Sequence, residues 1–339
     1  MLRILHDTRI DFIRLWKPVT IALTIFLLPA IVWIAVSGFR FGIEFTGGTL
    51  VQLQFEKAPN VGDVRQALTD AGLENTEVQT FGSPRDIVVR AQERAHAEQV
   101  GRGAGSVSNQ IQAALAARFG AGAFRILGSE AIGARVSSEL VRKALIALLI
   151  SFGVSLIYLA IRFEWRFGLA AVLANVHDIL AVFAFIKYLD LEINLFLVGA
   201  ILTVIGYSLS DTVVVFDRVR ELLRTRSKIN MRELLNRAVN ETLPRTVMTG
   251  TTVLACLLAL ALLGGPVLRP FALVLLFGIT IGTISSIYVA SPLLLLINHK
   301  WPRAHTEGSS TATPPQATRP RTPAAASQRG PAVTPATKR

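Results

Sequence analysis

The chain has 339 residues, a mean hydropathy of +0.48 and 51% hydrophobic residues, while only 17% of its residues are charged. This composition excludes an ordinary soluble domain and indicates a membrane protein. The formal net charge of +12 would suggest nucleic-acid binding if the chain were soluble, so the positions of the charges decide its meaning. The single cysteine, Cys256, excludes a disulfide framework and a cysteine-based metal site.

Six apolar stretches approach the length of about 20 residues that one helix needs to cross a bilayer. They cover residues 19–37, 144–161, 168–188, 194–215, 246–264 and 271–297. The first stretch could instead be a cleaved signal peptide, but 17 residues are long for the segment before it, and no A-x-A pattern follows. The sequence therefore predicts an α-helical polytopic membrane protein with six transmembrane helices.

The basic residues indicate which loops face the cytoplasm. Of the 35 Lys and Arg residues, 21 lie in residues 1–17, 162–167, 216–245 and 298–339. The segment 38–143 and the short loop after residue 188 carry no such excess. Both termini are therefore predicted to be cytoplasmic, and the positive charge reflects topology and attraction to anionic lipids, with no nucleic-acid partner expected.

The segment between the first two helices alternates strand and helix patterns typical of one small α+β domain. Period-2 alternation predicts strands at 49–55, 76–81 and 87–89, and a last strand at 124–132. Helical spacing predicts helices at 61–72 and 109–119, the second capped by Ser108. The order β-α-β-β-α-β predicts a ferredoxin-like domain, here periplasmic.

No segment predicts an enzyme. The chain contains no triad, metal-ligand spacing or phosphate-binding loop, so no catalytic, cofactor or metal site is expected. The Gly-rich run 101–105 follows no clear strand and lacks a Lys-Ser/Thr ending, so we interpret it as a flexible loop. Residues 298–339 are rich in Pro, Ala, Thr and Ser and are predicted to form a disordered cytoplasmic tail.

The fourth predicted span contains an ionisable residue, Asp211, which is costly at bilayer depth. Thr203, Tyr207 and Ser208 lie on the same helical face, so the four residues form a polar stripe that should face protein or water. Burial would move the carboxyl group toward one that takes up and releases protons. The alternative is an Asp that is only satisfied by a partner helix or that reaches the cytoplasmic surface.

The fifth predicted span begins with a second polar stripe, formed by Arg245, Thr249 and Thr252 and entering from the same side as Asp211. An Arg keeps its proton, so Arg245 would act as a fixed charge whose pairing with Asp211 changes on protonation. An ordinary positive-inside Arg at a helix end is equally compatible with its position.

The third predicted span contains Asn175, His177 and Asp178 near its middle. Asn175 and Asp178 share a face, from which His177 is displaced by about 100°. A structural pairing with neighbouring helices is the simpler interpretation, and a proton relay is the alternative.

Two further patterns concern packing. Gly278, Gly282 and Ser286 follow one another at four-residue spacing in the sixth span, which permits close approach of another helix. Residues 217–243, between the fourth and fifth spans, contain an apolar face with flanking arginines and predict an amphipathic interfacial helix within a cytoplasmic loop at 216–245.

Several separated motifs follow one another along the chain: Gly42–Thr49, Phe163–Gly168, Val176–Asp178, Gly206–Thr212, Phe216–Arg218 and Thr242–Thr246. Together, and in this order, they resemble the SecF family of bacterial protein-export subunits within the resistance-nodulation-division superfamily. The resemblance covers roughly residues 10–298, with Ser210 at a position where the family often has Asn.

The resemblance implies a multi-pass protein of the bacterial inner membrane. It implies a heterodimer with SecD, association with YajC and the SecYEG channel, a functional link to the SecA motor, and proton-driven assistance to translocating preproteins. The family's functional intramembrane Asp and Arg correspond to Asp211 and Arg245. Tyr207, Ser208, His177 and Asp178 complete the expected proton-coupling set.

Two alternatives of other classes remain from the residues alone. A small-molecule or lipid exporter built on the same half-transporter plan predicts an apolar substrate cleft in the outer region. A passive membrane scaffold predicts that the polar stripes only hold helices together.

Overall fold

The computed structural model describes residues 8–73, 76–91, 105–225 and 230–301. Within these ranges six helical stretches are long and apolar enough to cross a bilayer, as the sequence predicts. They are Phe12–Ser37, Ala134–Arg162, Trp165–Tyr188, Leu195–Thr225, Met231–Leu263 and Gly265–Lys300. The predicted tail from residue 302 onward and nearly all of the Gly-rich run lie outside the described residues.

The helices are numbered in chain order, and the last span contains two of them. A 3-10 turn at Phe12–Leu15 precedes α1, and a π-helical turn at Ser286–Ala290 joins α9 to α10. The helices are α1 Trp16–Ser37, α2 Ile43–Thr46, α3 Val61–Asp70, α4 Gly105–Phe119, α5 Ala134–Arg162, α6 Trp165–Tyr188, α7 Leu195–Thr225, α8 Met231–Leu263, α9 Gly265–Ser285 and α10 Ser291–Lys300.

The long helices extend beyond the apolar stretches that predict them. Helix α7 has 31 residues, or about 46 Å at the helical rise, which exceeds a hydrocarbon core of about 30 Å. Hydropathy detects only the part inside the bilayer, whereas helical hydrogen bonding continues through the charged turns. Helix α10 likewise reaches Lys300, inside the segment predicted as a tail.

The predicted amphipathic helix forms, but the prediction that its apolar face lies at a membrane surface is wrong. Its apolar residues Leu234, Leu235, Ala238 and Val239 form the first half of α8, which runs on without a break through Pro244 into the fifth span. All four are buried in a cluster that also contains residues of the N-terminal segment and of α7. The apolar face is therefore covered by the chain itself, so it does not need a lipid surface.

The domain between α1 and α5 is a four-stranded antiparallel sheet in the order β2-β3-β1-β4. The strands are β1 Gly48–Phe55, β2 Thr76–Phe81, β3 Ser83–Ala91 and β4 Phe124–Ile132. With α3 after β1 and α4 before β4, this is the ferredoxin-like arrangement that the sequence predicts.

One face of the sheet and the two helices enclose the domain core. Val51, Leu53 and Phe55 of β1 are at most 3% exposed, as the period-2 pattern predicts. The predicted cap at Ser108 is wrong, because α4 begins at Gly105 and Ser108 lies inside it. Val107 packs on the domain core one turn before Ile111, so the apolar period starts earlier than predicted.

Helix α7 lies at the centre of the bundle and packs closely on α9. An added Cβ at Gly278 would lie 2.3 Å from Val204 Cγ2, and one at Gly282 would lie 2.9 Å from Ser208 Cβ. These two glycines therefore set the α7–α9 distance, in agreement with the small-residue pattern.

Replacing Gly278 with Ala is expected to lower stability by about 1–3 kcal/mol, because the added methyl group must displace Val204 or separate the helices. The control is Gly153→Ala in α5, where an added Cβ meets nothing within 4 Å. Thermal unfolding of the purified full chain in detergent measures both. Equal melting temperatures for the two variants would contradict the close packing.

Candidate functional site

A chain of polar side chains crosses the apolar interior of the bundle, starting at Asp178 on α6. Asp178 is 1% exposed, and Ser208 on α7 donates a hydrogen bond to its Oδ2. His177 Nδ1 lies 2.9 Å from Asp178 Oδ1. Of the three third-span residues, Asp178 thus pairs with a neighbouring helix and His177 with Asp178 of its own helix, whereas the buried Asn175 Oδ1 has no hydrogen-bond partner among the described residues.

Asp211 follows Ser208 by one helical turn on α7 and is half-buried. Thr246 Oγ1 on α8 lies 3.3 Å from Asp211 Oδ1 and donates to it, and Thr283 on α9 also approaches the carboxyl group. Asp211 Oδ2 is buried and has no hydrogen-bond partner among the described residues. One carboxyl group therefore lies where three helices meet, with one oxygen free to accept a proton or a water molecule.

The remaining residues of the fourth-span stripe divide into buried and exposed members. Tyr207 is partly buried, and its hydroxyl group, close to Gly250 on α8, has no hydrogen-bond partner in the described part of the chain. Thr203 is exposed and donates to the Gly199 carbonyl of its own helix. The stripe thus lies beside Asp211 only at Tyr207 and Ser208.

The fifth-span stripe lies on an exposed face of α8. Arg245, Thr249 and Thr252 are exposed, and Arg245 forms no ion pair with Asp211 within 4.0 Å. The buried face of α8 carries Thr246 and Gly250 instead. Arg245 is close enough to interact with Asp211 electrostatically but not to contact it.

Thr246 and Thr283 supply the hydroxyl groups around Asp211 and are not among the site residues that the sequence predicts. The apolar face of α8 could have identified Thr246, because buried Leu235 and Val239 continue at helical spacing to Thr246 and Gly250. Thr283 lies one residue after Gly282, on a helix whose pattern indicates only packing.

A second polar cluster joins the domain to the loop between α6 and α7. Arg40, in the linker after α1, contacts Glu77 on β2 at 2.7 Å and Asp190 in the loop at 2.8 Å. Arg90 on β3 pairs with Glu192 in the same loop and lies 3.6 Å from Glu77. We call these five residues the docking cluster.

The ion pairs of the docking cluster differ in how deeply they are buried. The side chains of Arg90 and Glu192 are 18% and 20% exposed, whereas those of Glu77 and Asp190 are more than half exposed. Burial raises the pKa of the Glu192 carboxyl group, and the adjacent Arg90 opposes that rise. The Arg90–Glu192 pair is thus the strongest electrostatic contact of the cluster, because it is the least screened by water.

Backbone contacts reinforce the same junction. Gly42 N donates to the Ile193 carbonyl and Ile193 N to the Arg40 carbonyl, both at 2.8 Å. Lys187 near the end of α6 is 7% exposed, donates to the Gly38 carbonyl at 2.8 Å and lies over the Trp33 ring. The domain linker and the α6–α7 loop therefore form one connected unit.

The described residues contain no group of three or more His, Cys, Asp or Glu side chains that could hold a metal ion. The two polar clusters consist of ion pairs and hydrogen bonds.

Comparison with known proteins assigns the family. The family described as "Protein export membrane protein SecD/SecF, C-terminal" matches residues 111–300, and the "SecD/SecF GG Motif" matches residues 32–59. The protein translocase subunit SecF of Gemmatimonas aurantiaca is 50% identical over 92% of this chain and 94% of its own length. The SecF subunit of Magnetococcus marinus is 40% identical over 87% of this chain and 94% of its own.

Solved structures agree with the sequence relatives. The crystal structure of SecDF, a translocon-associated membrane protein from Thermus thermophilus, matches with a TM-score of 0.77 at 34% identity. A SecDF structure in a super-membrane-facing form matches with a TM-score of 0.62. Each match covers 88% of this chain and 40% of the SecDF chain. By sequence, fold and motif, the chain belongs to the SecF family of protein-translocase subunits.

Proposed function

We propose that this chain uses the proton motive force to promote late, SecA-independent steps of preprotein translocation. Family membership makes it a subunit of the SecDF protein-export complex. The observation that supports proton coupling is the position of Asp211, held among α7, α8 and α9 with one buried oxygen unpartnered. Asp178, Ser208, His177 and Tyr207 extend this polar path into α6 and along α7.

Protonation of Asp211 removes a charge from a half-buried position between three helices. The ionised carboxylate attracts the Thr246 hydroxyl group and the positive potential of nearby Arg245, and both attractions weaken when the group is neutral. The α7–α8 contact then loses the attraction at its buried polar position, so the helices can adopt a second packing.

The available energy is sufficient for such a change. Each proton that enters the cell releases about 2.3 kcal/mol per 100 mV of membrane potential. Coupling free energies between sites are typically about 1–3 kcal/mol. One or a few protons per cycle therefore suffice to shift a two-state equilibrium.

The docking cluster transmits a movement of α6 and α7 to the domain. These two helices carry Asp178 and Asp211, and their connecting loop holds Asp190 and Glu192 against domain-side arginines. We propose that the domain moves with this loop and acts on the emerging preprotein. The difference in TM-score between the two SecDF structures, at equal coverage, supports a family fold that adopts more than one arrangement.

The topology follows the positive-inside pattern. We propose an inner-membrane location with residues 1–18, 216–245 and 298–339 cytoplasmic and residues 38–143 periplasmic. The role is one of transport and not of catalysis. The chain spans 40% of the length of the SecDF chain that it matches, and we propose SecD, YajC, SecYEG and SecA as its partners.

Collapse of the proton gradient tests the proposed function. Vesicles that contain the full chain with SecD and SecYEG, and that have completed the SecA-dependent stage, are expected to finish export only with a gradient imposed. A protonophore should remove this stimulation. Vesicles without the chain serve as the control and should not respond to the protonophore at this stage.

The other functional classes give different results. A passive scaffold would leave completion of export unchanged by the protonophore while loss of the chain impairs assembly. A small-molecule exporter would move an added apolar compound under the same gradient and leave preprotein completion unaffected. Either result would contradict the proposal.

A further inference from the structure

A cavity of about 540 Å³ opens at the end of the bundle opposite the domain. Its wall is formed by the end of α5, the last turns of α7 and the part of α8 around Arg245. Five arginines and three carboxylates line it: Arg162, Arg218, Arg220, Arg224, Arg245, Asp217, Glu221 and Glu241. The wall therefore carries an excess of two positive charges.

The three carboxylates are already engaged. Arg162 contacts Asp217 at 2.6 Å, and Arg218 contacts Glu241 at 2.5 Å and also pairs with Glu221. Since these contacts use every acidic group of the wall, the excess charge resides on the arginines without such a partner.

Three of these arginines, Arg220, Arg224 and Arg245, form no ion pair with a carboxylate in the described part of the chain, because Arg218 alone pairs with two of the three carboxylates. Arg224 and Arg245 are exposed. Arg220 has a neutral partner, since its Nη1 donates to the Arg162 carbonyl at 3.1 Å.

Guanidinium groups match the geometry of phosphate. Each presents a planar fork of donors that can bond two phosphate oxygens at once, and each keeps its charge at any physiological pH. An open cavity with three guanidinium groups that lack a carboxylate partner therefore favours a phosphate-bearing anion over a cation or a neutral solute.

The surface beside the cavity is suited to a lipid. Arg162 is the last residue of α5, and Ile157 and Ile161, just before it, are 61% and 83% exposed. This exposed apolar stripe would lie against acyl chains in a membrane, directly beside the charged wall.

We propose that the cavity binds a phosphate-bearing anion, supplied by the headgroup of an anionic phospholipid whose acyl chains lie along α5. Inorganic phosphate shares this chemistry, so the experiment must separate the two sources. The proposal does not depend on proton coupling, because it concerns only the charge, volume and surroundings of the cavity.

Native mass spectrometry of the full chain in detergent, titrated with dioleoyl phosphatidylglycerol, tests the site. Arg224→Gln is expected to weaken lipid binding about tenfold, the effect of losing one charge-assisted contact. The matched control is Arg232→Gln at the start of α8, which removes the same charge from outside the cavity. The control should bind phosphatidylglycerol within about twofold of the wild type.

Further variants and a second ligand identify the source of the anion and show whether the loss of binding is specific to the cavity. Arg224→Glu should weaken binding more than Arg224→Gln, and melting temperatures equal to that of the wild type exclude unfolding as the cause. Inorganic phosphate that binds with the same dependence on Arg224, without lipid binding, would support the anion site and assign it to a soluble anion. Equal losses in the Arg224 and Arg232 variants would overturn the proposal, as would Arg224-dependent binding of polyglutamate alone.

Discussion

Replacing Asp211 with Asn is expected to abolish gradient-driven completion of export while leaving the complex assembled. Asn has nearly the same shape as Asp and can still accept the hydrogen bond from Thr246, so the packing of α7 on α8 is retained. It cannot change charge, so the electrostatic difference between the two proposed packings is lost. The measurement is protease protection of a preprotein in vesicles, with and without a proton gradient.

The matched control makes the same chemical change elsewhere. Asp70→Asn replaces an exposed carboxyl group at the end of α3 and is expected to leave gradient-driven export within about twofold of the wild type. Co-purification with SecD separates loss of function from loss of assembly. Normal stimulation in the Asp211 variant would exclude this carboxyl group from the mechanism.

Thr246→Val refines the same experiment. It removes the observed hydroxyl donor but keeps the shape of the side chain, so the ionised carboxylate loses a charge-assisted hydrogen bond of about 1.5–3 kcal/mol. The ionised carboxylate is then held less firmly against α8, and gradient-driven completion of export is expected to fall several-fold while assembly with SecD is kept. Stimulation equal to that of the wild type would show that the Thr246 contact does not contribute to the role of Asp211.

The sequence could predict Asp211 because an ionisable residue in an apolar helix is costly and therefore conspicuous. It could not predict which residue of α8 contacts the carboxyl group. Arg245 and Thr246 are adjacent on α8 and point about 100° apart. A rotation of α8 by one residue would therefore place the guanidinium group, instead of the hydroxyl group, beside Asp211. Tertiary packing alone decides this choice.

The ferredoxin-like domain was predictable for a different reason. Its strands are half-buried, and the alternation of Val51, Leu53 and Phe55 with polar neighbours marks the buried face directly. The docking cluster has no such sequence pattern, because Arg40, Glu77, Arg90 and the loop carboxylates are charged residues of the kind found on any polar surface. Only the approach of the domain to the α6–α7 loop brings them together.

Reversing the charge of Arg90 is expected to uncouple proton movement from export. Arg90→Glu places a carboxylate beside Glu192 and Glu77, so an attractive contact between the domain and the α6–α7 loop becomes repulsive. Partial exposure limits the cost to about 1–3 kcal/mol, discounted from the value for a buried pair. That amount is comparable to the free energy that one proton releases on crossing a membrane potential of 100 mV. A movement of α6 and α7 that is passed to the domain through this contact should therefore be largely lost.

Two measurements on the same vesicles distinguish this variant from the Asp211 variant. Proton uptake, followed with a pH-sensitive dye, should persist in Arg90→Glu and disappear in Asp211→Asn, whereas gradient-driven export should be lost in both. The control is Arg85→Glu, the same charge reversal at an exposed position of β3 outside the docking cluster. It should behave like the wild type in both measurements.

Exchanging the two charges is expected to restore the contact between the domain and the α6–α7 loop. The double variant Arg90→Glu with Glu192→Arg re-creates an ion pair across the junction and is expected to recover a substantial part of the lost export. Recovery is incomplete because Glu77, 3.6 Å from Arg90 in the wild type, would still repel the new carboxylate. If the double variant were no better than the single one, or if Arg90→Glu also stopped proton uptake, the docking cluster would be a structural support rather than the link that transmits movement to the domain.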